Sequence, residues 1–370
     1  MNEPVNVGVV GCGAISGAYF SGSRHFPILQ ISACADLDRA AAERKAREFG
    51  VPRVCSVDEL LRDDSVHIVL NLTVPKAHVE IGLRAIQAGR HVYSEKPLGV
   101  TRDEGRRLMD AAAARGVRIG CAPDTVLGAG PQTARKLLDC GAIGRPVAFT
   151  AFMMNRGHET WHPNPQFFYE PGGGPMFDMG PYYLTALFHL FGSARRLSGM
   201  AAVAVPERTI TSQPRFGTKI RVGTPDHVCG NIEFETGPVG TIVQSFATHH
   251  PTYEPSHPIT VYGTEGTMKV PDPNTFDGSV YVRMARDADW MKVPHTFVTG
   301  YGRSVGLADM AHAIRSGRPH RASGDVAFAV LETMQGFFDS SDSGRAYVPA
   351  TSFHRPAPMP AHLPFGVLDD

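Results

Sequence analysis

A chain of 370 residues is too long for one ordinary hydrophobic core, so two domains are expected. Hydrophobic residues make up 42% and charged residues 19%, as in a soluble globular protein, and 36 Lys plus Arg balance 36 Asp plus Glu. With no long basic block, nucleic acid and anionic membranes are excluded as main partners.

Val5 to Val10 is a β-branched run that leads straight into Gly11-Cys12-Gly13-Ala14-Ile15-Ser16. A buried strand, a glycine turn and a helix form the setting in which G-x-G-x-x-G binds a dinucleotide. Gly11 allows the tight turn, Gly13 lets the backbone approach a pyrophosphate, and a small residue at Ser16 lets the helix pack on the sheet. Ala14 and Ile15 stand where the helix start offers unpaired N–H groups and a positive dipole end to the phosphates. A second strand, Leu29 to Ala35, ends at Asp36, about 25 residues after the first glycine, where a ribose-binding acid belongs. A carboxylate there accepts from both ribose hydroxyls and repels a 2′-phosphate, which favours NAD over NADP unless Arg39 folds back to partner a phosphate.

The alternation continues with a helix over Ala40 to Phe49, a short strand near Val54, and an apolar strand from Val66 to Leu72. A helix over Ala77 to Ala88, a strand over His91 to Ser94 and a helix over Arg102 to Ala114 follow. Strands alternating with helices predict an α/β fold with a doubly wound parallel sheet, whose ligand lies beyond the carboxyl ends of the strands. Two segments stand at those ends: Thr73-Val74-Pro75-Lys76-Ala77-His78 and Glu95-Lys96-Pro97. His78 packs near the cofactor on this reading, or is a structural histidine.

Cys121-Ala122-Pro123-Asp124-Thr125 makes Asp124 a candidate substrate contact. His158-Glu159-Thr160-Trp161-His162 spells the zinc pattern H-E-x-x-H, but that chemistry needs a helix. Gly157 precedes the match and Pro163-Asn164-Pro165 ends it, so no metal is expected. Arg156, His158, Trp161 and His162 instead suit either a solvated surface loop or a loop entering a substrate pocket, with an aromatic face for a sugar ring and donors for hydroxyls or an acidic group. Gly172 to Leu190 reads as three glycines and a proline followed by a helix, in which the i, i+4 spacing puts Asp178 and Tyr182 on one face. The glycines let the backbone come close to a ligand; alternatively Asp178 charges the helix start and Tyr182 packs in the core. Alternation in Asn231 to Glu235, Thr241 to Ala247 and Pro258 to Gly263 predicts an open sheet, whose uncovered face predicts a homodimer or homotetramer. The last twenty residues, rich in Pro and Ala, suggest an extended tail. Six cysteines without a C-x-x-C, no bilayer-length apolar run and a start unlike a signal peptide suggest a cytoplasmic protein that needs no membrane.

Taken in order, the glycine motif, T-x-P-x-x-H at 73–78, Glu95-Lys96-Pro97, Gly141-Ala142-Ile143-Gly144, Gly172 to Asp178, Gly263-Thr264-Glu265-Gly266 and the helix around Asp309 to Ile314 resemble the Gfo/Idh/MocA family of sugar and inositol dehydrogenases. The resemblance implies a Rossmann domain over 1–122 and a substrate and oligomerisation domain over 123–350, with a large open, mostly antiparallel sheet and a tail over 351–370. It implies that Thr73, Pro75, His78, Glu95, Lys96 and Pro97 surround the cofactor, with Lys96 against the nicotinamide. The family's third motif usually reads D-x-x-x-H; here it reads Asp178-Met179-Gly180-Pro181-Tyr182, and some members share the tyrosine.

The function implied is transfer of a hydride to NAD from a secondary hydroxyl of a sugar, glycoside or cyclitol. Lys96, Asp178 and Tyr182 are the catalytic candidates, and Lys96, Asp124, Arg156, His158, Trp161, His162, Asp178 and Tyr182 the substrate-binding ones. An unperturbed tyrosine, near pKa 10, is a poor base at neutral pH. A lysine beside it favours its ionised form, so Lys96 and Tyr182 are expected to share the proton transfer while Asp178 orients. Two rivals use the same fold: a redox-neutral NAD-dependent glycoside hydrolase, including one acting on acidic-sugar glycosides, and a non-catalytic cofactor-binding sensor.

Overall fold

The computed structural model describes residues 3–369. The chain makes two compact units. The first comprises the chain up to Gln132, His295–Phe328 and the chain from Pro356, and the second Thr133–Pro294 and Ala329–Arg355.

In the first unit, β1 (Val5–Val10), α1 (Ser16–Ser23), β2 (Leu29–Ala35), α2 (Arg39–Phe49), α3 (Val57–Arg62), β3 (Ile68–Asn71), α4 (Pro75–Gln87), β4 (His91–Ser94), α5 (Arg102–Arg115) and β5 (Ile119–Cys121) follow in turn. The sheet is parallel, in the order β2-β1-β3-β4-β5. Its central strands are apolar because both faces are covered: Val7, Val9, Ile68, Val69 and Leu70 are fully buried. Each such side chain contributes about 1.5–3 kcal/mol relative to exposure. Local chemistry sets the helix ends. Asp38 caps α2 and Gly50, left-handed at φ 67, ends it. Thr101 and Glu104 form a capping box at α5, which closes on left-handed Gly116.

The strand expected near Val54 is only a single bridge from Val54 to Cys34. Ser56 and Glu59 form a capping box that turns the chain at once into α3, a helix not anticipated from the sequence.

The second unit holds α6 (Ala129–Asp139, which begins in the first), β6 (Pro146–Met154), α7 (Gly174–Asp178), α8 (Gly180–Phe191), β7 (Ala194–Ala202), β8 (Glu207–Thr209), β9 (Lys219–Arg221), β10 (His227–Phe234), β11 (Val239–Ser245), β12 (Ile259–Gly263), β13 (Gly266–Val270), β14 (Val280–Met284) and β15 (Met291–Val293). Eight strands form one sheet, ordered β15-β14-β13-β12-β6-β11-β10-β7, in which only β6 and β11 run parallel. Phe149, Ala151 and Met153 alternate inward along β6, and α7 packs on β10 and β11. On the other face Val239 and Tyr262 flank Ala148, and Met200 stands exposed on β7. The chain then forms α9 (Val305–Ser316) and α10 (Gly324–Ser343).

The single helix expected after Gly172 is broken. Pro181 has no N–H to continue the ladder, so the Met179 carbonyl takes Tyr182 N–H at 3.0 Å and Tyr183 N–H at 3.4 Å, restarting the helix as α8. Asp178 therefore closes α7, and Tyr182 lies in the first turn of α8. The glycines ahead of α7 meet protein. A Cβ at Gly173 would lie 2.6 Å from the Phe167 carbonyl oxygen, and one at Gly174, φ 79, would lie 2.7 Å from that of Pro225.

The last residues have no helix or strand, yet they are packed. Leu368 is fully buried, the Phe365 ring stacks on Tyr301 at 5.0 Å, and Asp369 pairs with Arg318 at 2.7 Å. Among the described residues, no helix is long and apolar enough to cross a membrane.

Candidate active site

The first unit offers a cradle at the carboxyl ends of its strands. Gly11 has φ 100, and a Cβ there would lie 2.7 Å from the Leu72 backbone, so only glycine fits. At Gly13 a Cβ would meet nothing within 4 Å, and Gly13, Ala14 and Ile15 are exposed. The helix begins only at Ser16, so Ala14 and Ile15 belong to the loop. Asp36 accepts the Cys12 N–H at 2.6 Å through one oxygen and the Asp38 N–H at 2.8 Å through the other, which ties the carboxylate to the glycine loop. Arg39 reaches Glu43 at 3.1 Å. Three apolar side chains stand exposed at the same strand ends: Ile15, Leu37 and Val74. An open glycine turn, an adjacent acid and uncovered apolar surface fit a dinucleotide: phosphates at the loop, a ribose diol at Asp36 and rings against the apolar groups.

Around Thr73 and Lys96 the expected cofactor contacts divide into two kinds. Thr73 and Pro75 are partly exposed and Lys96 is half-buried, joined to Pro97 by a cis peptide. His78, Glu95 and Pro97 lie inside. The His78 ring lies between two loop carbonyls, Pro97 O at 2.8 Å and Thr73 O at 2.9 Å, and burial lowers its pKa despite those contacts. Neutral imidazole has one N–H, so it donates to one carbonyl at a time. Asn71 completes the clip, donating to the His78 carbonyl at 2.9 Å and accepting from the Thr73 hydroxyl at 2.7 Å. Glu95 accepts the Tyr19 hydroxyl at 2.7 Å and the Lys96 N–H at 3.0 Å.

Asp124, expected to meet substrate, is fully buried and spoken for. Arg303 donates to it at 3.0 Å and the Gly306 N–H at 3.2 Å, while burial pushes its pKa up against the pull of Arg303. Arg303 also stands 4.0 Å from Glu95. These groups support the Glu95-Lys96-Pro97 turn. Tyr19, Asn71 and Arg303 were missed, since nothing local marks them: Arg303 lies 179 residues from Asp124.

In the second unit, residues 158–162 form turns, with His162 N–H on the His158 carbonyl at 2.9 Å. Glu159 is engaged by Arg208 at 2.8 Å and by the Tyr169 hydroxyl. Arg208 also donates to Asp226 at 2.7 Å and to the Phe246 carbonyl at 2.8 Å. Two carboxylates and a guanidinium, all buried, thus anchor the loop from beneath, and burial with the Glu159 contact pushes the Tyr169 phenol up. The His158 ring packs on Phe168 at 4.0 Å and Phe246 at 4.5 Å, and its Nε2 meets Asp178 Oδ2 at 3.0 Å. Trp161 is 62% exposed, edge-on to His158 and His162. Burial lowers the His162 pKa. Arg156 is exposed and Tyr182 buried. Sequence reading placed His158 in this loop but not against Asp178; a partner twenty residues away leaves no periodic signal.

Residues 5–122 match the model of the oxidoreductase family with an NAD-binding Rossmann fold, and residues 132–269 match the GFO/IDH/MocA C-terminal domain. The chain belongs to the Gfo/Idh/MocA oxidoreductase family. Its first unit is accordingly an NAD-binding Rossmann domain. Among similar proteins, an uncharacterised oxidoreductase of Schizosaccharomyces pombe is 28% identical over 51% of this chain and 53% of its own length. A levoglucosan dehydrogenase of Pseudarthrobacter phenanthrenivorans is 25% identical over 72% of this chain and 73% of its own. A 1,5-anhydro-D-fructose reductase of Ensifer adhaerens is 30% identical over 60% and 62%. The chain thus spans about half to three quarters of these relatives. Among solved structures, an NAD-binding oxidoreductase from Klebsiella pneumoniae superposes with a TM-score of 0.81 at 22% identity, covering 94% of this chain and 99% of that one. This likeness shows the fold.

Proposed function

We propose that the protein is an NAD-dependent oxidoreductase acting on a secondary hydroxyl of a sugar, glycoside or cyclitol. The observation that carries this reading is the open face of the glycine loop at Gly13, with the Asp36 carboxylate latched beside it. The substrate class is supported by relatives named for levoglucosan and 1,5-anhydro-D-fructose.

NAD, when bound, supplies the acceptor for the hydride of the alcohol carbon. The chain's own residues supply the rest. Asp36 selects the unphosphorylated ribose, since a 2′-phosphate would face its carboxylate. Lys96 and Tyr182 are the residues assigned to the proton of the substrate hydroxyl. Asp178 orients the hydroxyl, and Trp161 with His162 and Arg156 offers an aromatic face and donors to the ring. The outer face of the eight-stranded sheet, with Ala148, Val239 and Tyr262 adjacent, suits a homodimer or homotetramer, and the protein works in the cytoplasm.

Purified protein is incubated with NAD and a panel of free sugars, levoglucosan, inositols and nitrophenyl glycosides, following NADH and aglycone in one cuvette. NADH rising in proportion to substrate is expected, and Lys96→Ala abolishes it in a folded protein. Aglycone release without net NADH would replace this reading with a redox-neutral glycosidase. Neither signal, with NAD bound, would leave a sensor.

A further inference from the structure

Asp178 is the last residue of α7, and the His158 Nε2, from the loop at 158–162, lies 3.0 Å from its Oδ2. The ring has little freedom to turn away, being held between Phe168 and Phe246 with Trp161 at its edge. An ionised carboxylate only accepts, so the proton sits on Nε2. Nδ1 is buried with no partner, and in this tautomer it is a bare lone pair, so no N–H is stranded. The backbone of His158 is fixed as well, its N–H donating to the Tyr169 hydroxyl at 3.0 Å.

We propose that His158 is the positioning residue for Asp178: its Nε2–H, aimed by an aromatic cage, holds the carboxylate in one orientation toward the substrate hydroxyl. This rests on the role given to Asp178 above. An imidazole thus accompanies Asp178 although position 182 is tyrosine, and it reaches in from the loop, not from the helix.

Two substitutions separate positioning from packing. His158→Phe keeps a ring for the cage and removes the donor; His158→Gln keeps an N–H and loses the ring. Positioning predicts that H158F lowers kcat on levoglucosan roughly 10- to 100-fold, the usual cost of losing an orienting partner. NADH affinity by fluorescence stays unchanged, and H158Q recovers most of the rate. H158F equal to or better than H158Q would overturn the proposal.

A second arm needs no turnover. In the full-length protein labelled with [15N]histidine, the imidazole signal lost in H158F is assigned to His158. It should show the Nε2–H tautomer and should shift in Asp178→Asn. An Nδ1–H tautomer, or no response to D178N, would overturn the proposal even in an active enzyme. Absence of turnover on every sugar tested would instead sink the dehydrogenase reading while the tautomer result still decides this one.

Discussion

The glycine loop of the first unit and the 156–170 loop of the second are built on opposite plans. The glycine loop is shaped by backbone: one left-handed glycine packed on Leu72, one open glycine and amide groups latched by Asp36. The second is shaped by buried charge, with Arg208 between Glu159 and Asp226, Tyr169 bridging back to the loop, and His158 caged above. A backbone-built site fails when a Cβ is added, whereas a charge-built one fails when a partner is removed. The two loops should therefore respond to different substitutions.

The largest effect is expected from Arg208→Met, which leaves two buried carboxylates uncompensated. Urea unfolding should show a loss of about 3–5 kcal/mol. A loss below 1 kcal/mol would mean that the cluster does not carry the loop.

Gly11→Ala should cost about 1–3 kcal/mol, because φ 100 is strained for alanine and its Cβ meets the Leu72 backbone. Gly13→Ala meets no protein atom, so stability should change by less than about 0.5 kcal/mol while NAD affinity falls. Calorimetry and thermal melts on the pair divide folding from ligand approach; equal losses of stability would erase the distinction.

Asp36→Asn keeps an acceptor for the Cys12 N–H and removes the charge. NAD binding should weaken roughly tenfold, about 1.4 kcal/mol, and discrimination against NADP should shrink. Unchanged discrimination would point to steric exclusion of the phosphate.

The smallest effect concerns acid. Burial first, then the Arg118 charge, lowers His91 from 6.5 to about 4, and its Nδ1 accepts the Arg118 N–H at 2.9 Å. A depressed folded-state pKa means stability present above pH 6.5 and lost as pH falls toward 4. Melting temperatures at pH 7.5 and 5 should fall less in His91→Gln than in the parent; an equal drop would assign the loss to other groups, His78 and His320 among them, which burial also lowers.

Much of the first unit was legible because its signals are local. β-branched runs and the glycine turn act within a few residues, and they located the strands and the glycine loop. The short-range Ser56–Glu59 box was equally local and was passed over in favour of a strand at Val54. Pro181 likewise announced the break between Asp178 and Tyr182, which the i, i+4 spacing obscured.

The sequence by itself determined the Rossmann order of the first unit, the glycine cradle with its acid, and the alternation that builds the open sheet. Only the tertiary structure decided which polar groups face each other once buried. Glu95 meets Tyr19 from 76 residues away, Asp124 meets Arg303, Glu159 meets Arg208, and Asp178 meets His158. The physical reason is that a buried charge must find a partner, but any donor within reach will satisfy it. Periodicity tells which side chains go inside, whereas three-dimensional packing selects the partner.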